Sequence, residues 1–127
     1  MRIFKMIALL LLGAAPLTAQ QVTDRALSEY ATPAGLAELI ESGSEEYLLV
    51  DVRTDQEYDG GHIPTAINIP YQLIGRELPE SDGNPILIVY CRSGRRSGIA
   101  FETLRTQGYD RIVDFGGIVR WNGELER

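Results

Sequence analysis

The chain has 127 residues, of which 44% are hydrophobic and 24% are charged, and its formal net charge is −6 at pH 7. This length and apolar content suit one domain with a single hydrophobic core. A globally acidic protein argues against nucleic acid or an anionic membrane as its partner. The one cysteine cannot form an internal disulfide, so in an exported protein it is either a reactive thiol or an intermolecular partner.

The first 19 residues have the layout of a secretory signal peptide. Arg2 and Lys5 precede an apolar run, residues 6–15, and a short stretch then ends in the small residue Ala19. The run is too short for a comfortable transmembrane span, although a retained anchor is the alternative. We therefore expect cleavage after Ala19 and a periplasmic or otherwise exported domain, residues 20–127, that is not stably inserted in a membrane. Removal of Arg2 and Lys5 leaves ten basic and 18 acidic residues, so the formal charge of the mature chain is −8.

The mature chain begins with a polar stretch, residues 20–27, for which we predict no regular structure. Thr32-Pro33 is typical of a helix N-cap and first helical position, so residues 34–42 are predicted as a helix that Gly43 ends. The elements predicted between this helix and residue 80 are a strand at 47–52, a helical turn from 54, a strand at 67–69 and a short helix at 71–78. Strands that alternate with helices indicate parallel βαβ units.

An apolar, β-branched run, residues 86–90, leads directly into Cys91. Such a run is typical of a strand buried on both faces in a parallel sheet. From Ser97 to about residue 107 the apolar residues recur at helical spacing. Cys91 therefore stands where the carboxyl end of a strand meets a helix amino terminus, which is where open α/β sheets bind ligands. The last predicted elements are a strand at 111–114 and a helical turn that Gly116-Gly117 opens.

The loop that follows Cys91 has the chemistry of an anion-binding site. It consists of Arg92, Ser93, Gly94, Arg95, Arg96 and Ser97. The unpaired N–H groups of the first helical turn and the helix dipole favour negative charge there. The three arginines add positive charge, and Gly94 permits a backbone conformation in which successive N–H groups converge. Because thiols beside cations at helix amino termini have pKa values of roughly 3.5–7.5 instead of about 8.5, we predict a reactive thiolate rather than an inert buried cysteine.

This loop resembles the active-site loop of the rhodanese family, in which a catalytic cysteine opens a C-x-x-G-x-[RT]-[ST] pattern. Cys91, Gly94, Arg96 and Ser97 occupy its marked positions, and the resemblance covers about residues 28–123. The other motifs recur in order: Asp51-Val52-Arg53, Glu57-Tyr58, Gly61-His62-Ile63-Pro64, Ala66-Ile67-Asn68-Ile69-Pro70, Gly108-Tyr109, Gly116-Gly117 and Trp121. The resemblance implies an α/β fold, a rhodanese-like three-layer sandwich around a five-stranded, mostly parallel sheet.

The activity that the resemblance implies is that of a thiosulfate sulfurtransferase without a cofactor. The Cys91 thiolate would take the outer sulfur of thiosulfate, or of another persulfide donor, and pass it as a persulfide to cyanide or a thiol. The backbone N–H groups of residues 92–97 would cradle the persulfide. Arg92 and Arg96 would bind the oxygens of the small anionic donor, with Arg92 rather than Arg95 expected to face it.

Two other classes of function remain as alternatives. Cysteine phosphatases and arsenate reductases also use an anion-cradling loop, but the tyrosine-phosphatase signature has five residues between cysteine and arginine, whereas four separate Cys91 from Arg96. The second alternative is a persulfide carrier or a non-catalytic interaction module, because some rhodanese-like domains have lost their cysteine. The cysteine that is present here weakens the non-catalytic interpretation.

Several residues near the expected site have structural interpretations. Asp51 and Arg53 are expected to form a structural ion pair or brace that supports the pocket, and Glu57 is a possible partner for an arginine. His62 is the sole histidine, so it has no second histidine with which to form a metal site, and we expect it to fix the turn at residues 61–64 rather than to act as a base.

Three further residues have roles predicted from their position. Tyr90 alternates in direction with Cys91 and is predicted to pack in the sheet. Trp121 is expected to close the edge of the core more than to line the site. Thr65 departs from the family pattern, since glycine is common at its position, which lies in a turn away from the cysteine. The interval between Trp121 and Gly123 is also shorter than usual in the family.

Overall fold

Four parallel strands form the sheet of this protein, whose computed structural model describes residue 13 and residues 15–127. The strands are β1 (Tyr47–Asp51), β2 (Ile67–Asn68), β3 (Ile86–Cys91) and β4 (Ile112–Gly117). Their order is β2-β1-β3-β4, and all three pairings are parallel. The predicted signal peptide, residues 1–19, lies largely outside the described residues. Within the described chain, no helix has the length and apolarity needed to span a membrane.

Helices cover both faces of the sheet. They are α1 (Ala19–Glu29), α2 (Pro33–Ser42), α3 (Asp55–Asp59), α4 (Ile74–Glu77) and α5 (Arg95–Thr106), and a 3-10 turn follows at Ile118–Arg120. One apolar cluster joins α1 and α2 to one face, and a second joins α4 and α5 to the other. The α/β three-layer sandwich that the resemblance implies is therefore confirmed.

The expected count of five strands is wrong for the part of the chain that the structure describes, which contains four. They correspond to the four strands that the apolar patterns predict. The chain ahead of α2 contributes a helix, α1. The prediction of an irregular stretch at 20–27 is also wrong. The Thr18 side chain accepts a hydrogen bond from the Gln21 backbone N–H, the Gln21 side chain accepts one from the Thr18 N–H, and Leu27 is buried in the core.

The predicted helix after Thr32 is confirmed. The Thr32 side chain accepts a hydrogen bond of 3.1 Å from the Gly35 N–H, and Pro33 occupies the first turn. At the other end, Gly43 adopts a left-handed conformation with φ 57° and closes the helix. Two leucines on this helix, Leu36 and Leu39, are buried against the sheet.

The central strand, β3, decides where the cysteine points. All six of its residues are buried, as expected of a strand inside a parallel sheet. Alternate residues face opposite layers, so Tyr90 packs in the cluster with α1 and α2, whereas Cys91 packs in the cluster with α4 and α5. The thiol therefore lies on the same side of the sheet as α5, whose first residues follow it in the chain.

The boundaries of the last elements differ from the prediction. Helix α5 begins at Arg95 rather than at Ser97, because Gly94 serves as its N-cap with φ 107° and allows the chain to enter the helix at once. Strand β4 continues to Gly117 instead of ending at residue 114. The predicted helical turn is present as the 3-10 turn, with Gly117 as its N-cap and Trp121 as its C-cap.

Candidate active site

The Cys91 side chain is enclosed by the first residues of α5. Its Sγ atom accepts a hydrogen bond of 3.0 Å from the Gly94 backbone N–H and lies 3.5 Å from Ser97 Oγ. The Cys91 thiol donates to Ser97 Oγ, whose hydroxyl in turn donates to the Gly94 carbonyl oxygen at 3.1 Å; once the thiol loses its proton, the hydroxyl can turn and donate to Sγ instead. Cys91 and Ser97 are both fully buried. The loop and helix that follow β3 thus place hydrogen-bond partners directly on the sulfur.

This environment changes the acidity of the thiol. Burial alone would raise the pKa of Cys91, because a charged sulfur loses hydration. Hydrogen bonding by the Ser97 side chain and by the backbone N–H groups of Ser97, Gly94 and Ser93 favours the thiolate and outweighs burial. The pKa of Cys91 consequently lies below its ordinary value. The loop favours the thiolate, which is the nucleophilic form of cysteine.

The end of β4 supports the loop through a close backbone contact. A Cβ atom added at Gly117 would lie 2.7 Å from the Arg92 carbonyl oxygen and 3.1 Å from the Ser93 Cα atom. No side chain fits between the strand and the loop at this point, so glycine is required for close approach. The Gly116-Gly117 pair in the sequence is the signal for this contact.

Arg96 forms an ion pair with Glu57 that uses both ends of its guanidinium group. Nη1 donates to Glu57 Oε1 at 2.7 Å, and Nη2 donates to Oε2 at 3.0 Å. The Arg96 hydrogen bonds hold the pKa of Glu57 at about 2, assisted by the Thr54 backbone N–H and against the effect of burial. The two partners lie 39 positions apart in the sequence. The terminal nitrogens of Arg96, which the sequence assigns to the donor anion, are thus already engaged.

Arg92 and Arg95 are exposed, in contrast to Arg96. Neither guanidinium group forms an ion pair or hydrogen bond with another side chain that the structure describes. Arg92 lines a cavity of about 540 Å³ at the carboxyl edge of the sheet, and Arg95 does not. The other residues that line this cavity are Arg53, Gln56, Glu57, Gly60, Gly61, Ile118, Val119, Trp121, Gly123 and Leu125.

Asp51 and Arg53 form a buried ion pair with a short contact of 2.6 Å between Asp51 Oδ2 and Arg53 Nη2. The same Arg53 nitrogen donates to the Gly61 carbonyl oxygen at 2.7 Å. Tyr90 completes the network, because its hydroxyl donates to Asp51 Oδ2 at 3.0 Å and accepts from the Ile63 N–H at 3.0 Å. Every buried polar group in this network is thereby paired, as buried charges require.

Tyr90 is a residue whose contribution the sequence prediction missed. The strand pattern predicts that Tyr90 packs in the sheet, and its ring does so, but its hydroxyl also joins the ion pair on the far side of β3 from the thiol. Burial, together with the nearby Asp51 carboxylate, raises the pKa of Tyr90, so the hydroxyl stays protonated and can donate. The signal that could have found it is the strand register, in which Asp51 stands opposite Tyr90.

His62 lies in the turn after α3 and holds it by several contacts. Its ring stacks on Tyr58 with the ring centroids 3.8 Å apart, and Nδ1 lies 3.0 Å from the Tyr58 carbonyl oxygen. Its backbone forms an antiparallel bridge to Glu126, with hydrogen bonds of 2.9 Å in both directions. These contacts tie the turn to the C-terminal segment and leave the imidazole engaged away from the thiol.

Trp121 has two environments. Part of its ring packs against the apolar cluster that contains Tyr90, and part lines the cavity beside Arg92. Its indole N–H donates to the Glu124 carbonyl oxygen at 3.0 Å, and its ring leaves no room for a side chain at Gly123. The short interval between Trp121 and Gly123 therefore forms a tight turn that closes one wall of the cavity.

Comparison with known proteins identifies the family. A family model described as a rhodanese-like domain matches residues 32–124. The chain is 42% identical over 79 residues to a sulfurtransferase of Allochromatium vinosum, covering 61% of this chain and 74% of that protein. It is 37% identical over 71 residues to the thiosulfate sulfurtransferase PspE of Escherichia coli, covering 54% of this chain and 68% of that protein.

A solved structure agrees with this match. The crystal structure of a rhodanese-like domain protein from Staphylococcus aureus is similar with a TM-score of 0.64 and 36% sequence identity, over 75% of this chain and 93% of that chain. The family model and the solved structure thus agree on the same family for this chain, and the family match covers both the sheet and the cysteine loop at the end of β3. This protein belongs to the rhodanese-like family, and its relatives include sulfurtransferases.

Proposed function

We propose that this protein is a thiosulfate sulfurtransferase and that Cys91 carries the transferred sulfur as a persulfide. The observation that carries the proposal is the placement of Cys91 Sγ, 3.0 Å from the Gly94 N–H and 3.5 Å from Ser97 Oγ, in a loop that lowers its pKa. The likeness to PspE, which is named a thiosulfate sulfurtransferase, supports the choice of donor.

In the first half-reaction the Cys91 thiolate attacks the outer sulfur of thiosulfate. A bond forms between Sγ and that sulfur, the sulfur–sulfur bond of thiosulfate breaks, and sulfite leaves with the electron pair. The persulfide that remains carries one negative charge, as the thiolate did. The converging N–H groups at Ser93, Gly94 and Ser97 are preorganised to stabilise this charge without rearrangement.

We assign the binding of the donor's sulfonate oxygens to Arg92. It is exposed, lines the cavity and has no partner among the side chains that the structure describes. Planar guanidinium groups suit oxyanions because they donate two parallel hydrogen bonds. Arg96 acts differently in this proposal: Glu57 holds both its terminal nitrogens, so it contributes a fixed positive charge near the thiolate rather than a fork for the donor.

In the second half-reaction an acceptor takes the outer sulfur. Cyanide attacks that sulfur, the persulfide bond breaks, and the Cys91 thiolate is restored as thiocyanate leaves. A thiolate acceptor becomes a persulfide by the same displacement. Because the enzyme alternates between free and sulfur-bearing forms, initial rates should show ping-pong kinetics.

Intact-mass measurement tests the proposal. After exposure to thiosulfate and removal of the excess, the protein should gain the mass of one sulfur, and one equivalent of sulfite should be released. The Cys91→Ser variant, similar in size and without a thiol, should do neither. A wild-type protein that gains no sulfur, or a variant that still turns over, would overturn the proposal. Phosphorylation of Cys91 by a phosphate ester would favour the phosphatase alternative instead.

We also propose that the chain is exported and cleaved after Ala19. The charge and apolar pattern of residues 1–19 supports this step. Expression of the full chain in a host with a secretory pathway, followed by fractionation and N-terminal sequencing, tests it. A mature protein that begins at residue 20 in the exported fraction is expected, and the Ala19→Arg variant should remain unprocessed. A wild-type chain that keeps residues 1–19 would contradict the proposal.

A further inference from the structure

An apolar rim stands beside the cysteine loop. Four residues form it, and all line the same cavity as Arg92: Ile118, Val119, Trp121 and Leu125. Val119 is 84% exposed and Leu125 is 49% exposed, and Val119 is the most exposed large hydrophobic residue in the described chain. A single exposed apolar residue needs no explanation, whereas several apolar residues that line one cavity are typical of an interaction surface.

The fold does not need the Val119 side chain. The 3-10 turn that carries it is held by backbone groups and by its neighbours: Arg120 Nη1 donates to the Phe115 carbonyl oxygen at 2.6 Å, and the Trp121 N–H donates to the Ile118 carbonyl oxygen at 2.9 Å. The Arg120 guanidinium group also lies 5.2 Å from the centre of the Phe115 ring. These contacts fix the turn and leave Val119 on the outside of a rigid support.

The rim is next to the loop because of Gly117. This residue contacts the backbone of Arg92 and Ser93, and the turn with Val119 begins at the following position. Arg92, which lines the same cavity, is thus a neighbour of the rim, and Arg95 is a second exposed cation of the same loop, on a protein whose formal charge is −6. The edge of the sheet that holds the thiol combines apolar surface with local positive charge on an acidic body.

We propose that the sulfur acceptor is a thiol of a partner protein, carried on a segment that has an apolar residue and acidic residues beside its cysteine. The proposal rests on the sulfurtransferase function proposed above and specifies its second substrate. The apolar residue would cover Val119 and Leu125, and the acidic residues would pair with Arg92 and Arg95. Cyanide has no apolar surface with which to cover the rim, so a role of the rim in acceptor binding requires a larger acceptor.

The transfer to such a partner balances without a further reactant. The partner's thiol loses its proton to solvent, and its thiolate attacks the outer sulfur of the Cys91 persulfide. The bond between the outer sulfur and Cys91 Sγ breaks, and Sγ leaves with the electron pair as the thiolate. The partner gains a persulfide, and Cys91 is ready for another donor.

The test uses wild-type protein loaded with sulfur by thiosulfate and freed of excess donor. Three cysteine peptides of equal length serve as acceptors: one with leucine and glutamate beside the cysteine, one in which serine replaces the leucine, and one in which lysine replaces the glutamates. Loss of sulfur from Cys91 is followed by mass spectrometry at a pH where the thiolate fraction of each peptide is known. Compared with the leucine-glutamate peptide, the serine peptide and the lysine peptide are each expected to accept sulfur with a second-order rate constant about fivefold to tenfold lower.

Variants of the rim provide the second arm. Val119→Ser and Leu125→Ser should each slow transfer to the leucine-glutamate peptide about fivefold, while transfer to the serine peptide changes little. The matched control is Tyr109→Ser, which removes an exposed aromatic side chain, 39% exposed, at the opposite end of α5. Sulfite release in the first half-reaction should be the same in all three variants.

The outcomes separate the two proposals. If sulfite is released and sulfur is loaded, but the three peptides react equally per thiolate or the rim variants behave as Tyr109→Ser does, the docking proposal is wrong and the sulfurtransferase proposal stands. If no sulfur is loaded on Cys91, the proposed function itself fails. Preferential transfer to the leucine-glutamate peptide that depends on Val119 supports both.

Discussion

Asp51 and Tyr90 stand opposite each other in neighbouring parallel strands, and the Tyr90 hydroxyl donates a hydrogen bond of 3.0 Å to Asp51 Oδ2. Through Asp51 this contact reaches Arg53 and the Gly61 carbonyl oxygen, and through the Ile63 N–H it reaches the turn that contains His62. The residue directly before Cys91 therefore joins two strands and a turn beneath the cavity.

The Tyr90→Phe variant should be destabilised by about 1–3 kcal/mol, since it leaves the buried Ile63 N–H without an acceptor. Denaturant unfolding measures this free energy. Tyr47→Phe is the matched control, because the hydrogen bond that it removes, 2.9 Å between the Tyr47 hydroxyl and Thr65 Oγ1, is exposed to solvent. Equal losses in the two variants would show that the buried network adds nothing to stability.

The Thr65→Gly variant should be more stable than the wild type by about 0.5–1 kcal/mol. Thr65 has φ 72°, a left-handed conformation that costs a β-branched residue about 1–2 kcal/mol and that glycine adopts freely. Thr65→Ala keeps the strained Cβ and loses the hydrogen bond to Tyr47, so it should show no gain. A glycine variant that unfolds no later than the alanine variant in a denaturant titration would contradict the strain argument.

Stability should fall at low pH through Glu57. The pKa of Glu57 in the folded protein is about 2, below its ordinary 4.5, so its ion pair with Arg96 stabilises the fold fully above about pH 4.5 and less as the pH falls toward 2. The difference in unfolding midpoint between wild type and Glu57→Gln should shrink across this range. Glu102→Gln, which removes an exposed partner of Arg105, should show a smaller pH dependence. The same pH dependence of the unfolding midpoint in both variants would contradict the assignment of the low-pH loss of stability to Glu57.

Ser97→Ala should raise the pKa of Cys91, because it removes the side chain that favours the thiolate. The ultraviolet absorbance of the thiolate, followed against pH, should have its midpoint at higher pH than in the wild type. Sulfite release at neutral pH should slow accordingly, since the reaction accelerates as the pH rises through that pKa. Ser93→Ala is the control: Ser93 acts on the sulfur through its backbone N–H, which the substitution keeps. A midpoint that moves equally in both variants would refute the role of the Ser97 hydroxyl.

Arg92→Ala should raise the KM for thiosulfate about tenfold, with a smaller effect on kcat, because a charge-assisted hydrogen bond to the donor is lost. Arg95→Ala removes an equally exposed cation that does not line the cavity, and it should change KM less than about twofold. Steady-state kinetics with cyanide as acceptor gives both values. A larger increase in KM for Arg95→Ala than for Arg92→Ala would assign donor binding to Arg95.

The sequence predicts the central strand, the cysteine loop and helix α2 well, because each has a strong local signal: an apolar β-branched run, a glycine within a cluster of arginines, and a Thr-Pro cap. It fails at α1, since Leu27 is the buried anchor there and a polar composition hides the capping contact between Thr18 and Gln21.

Contacts between residues that are distant in the sequence are the second feature that the sequence alone does not predict. Glu57 is identified as a partner for some arginine, but the choice of Arg96 over its two neighbours depends on how α3 and α5 meet in three dimensions. The Tyr90 hydroxyl is missed for the same reason: its partner Asp51 is 39 positions away, and only the strand register brings the two together.

The contact between Gly117 and the loop makes one side of the surroundings of the thiol rigid. Main-chain atoms of the two segments are in direct contact there, so the loop whose amides surround the sulfur cannot move toward β4. A Cβ atom at position 117 would have to push the Arg92 carbonyl oxygen and the loop away from the strand. The position of the amides that contact Cys91 Sγ then depends on a residue without a side chain in the neighbouring strand.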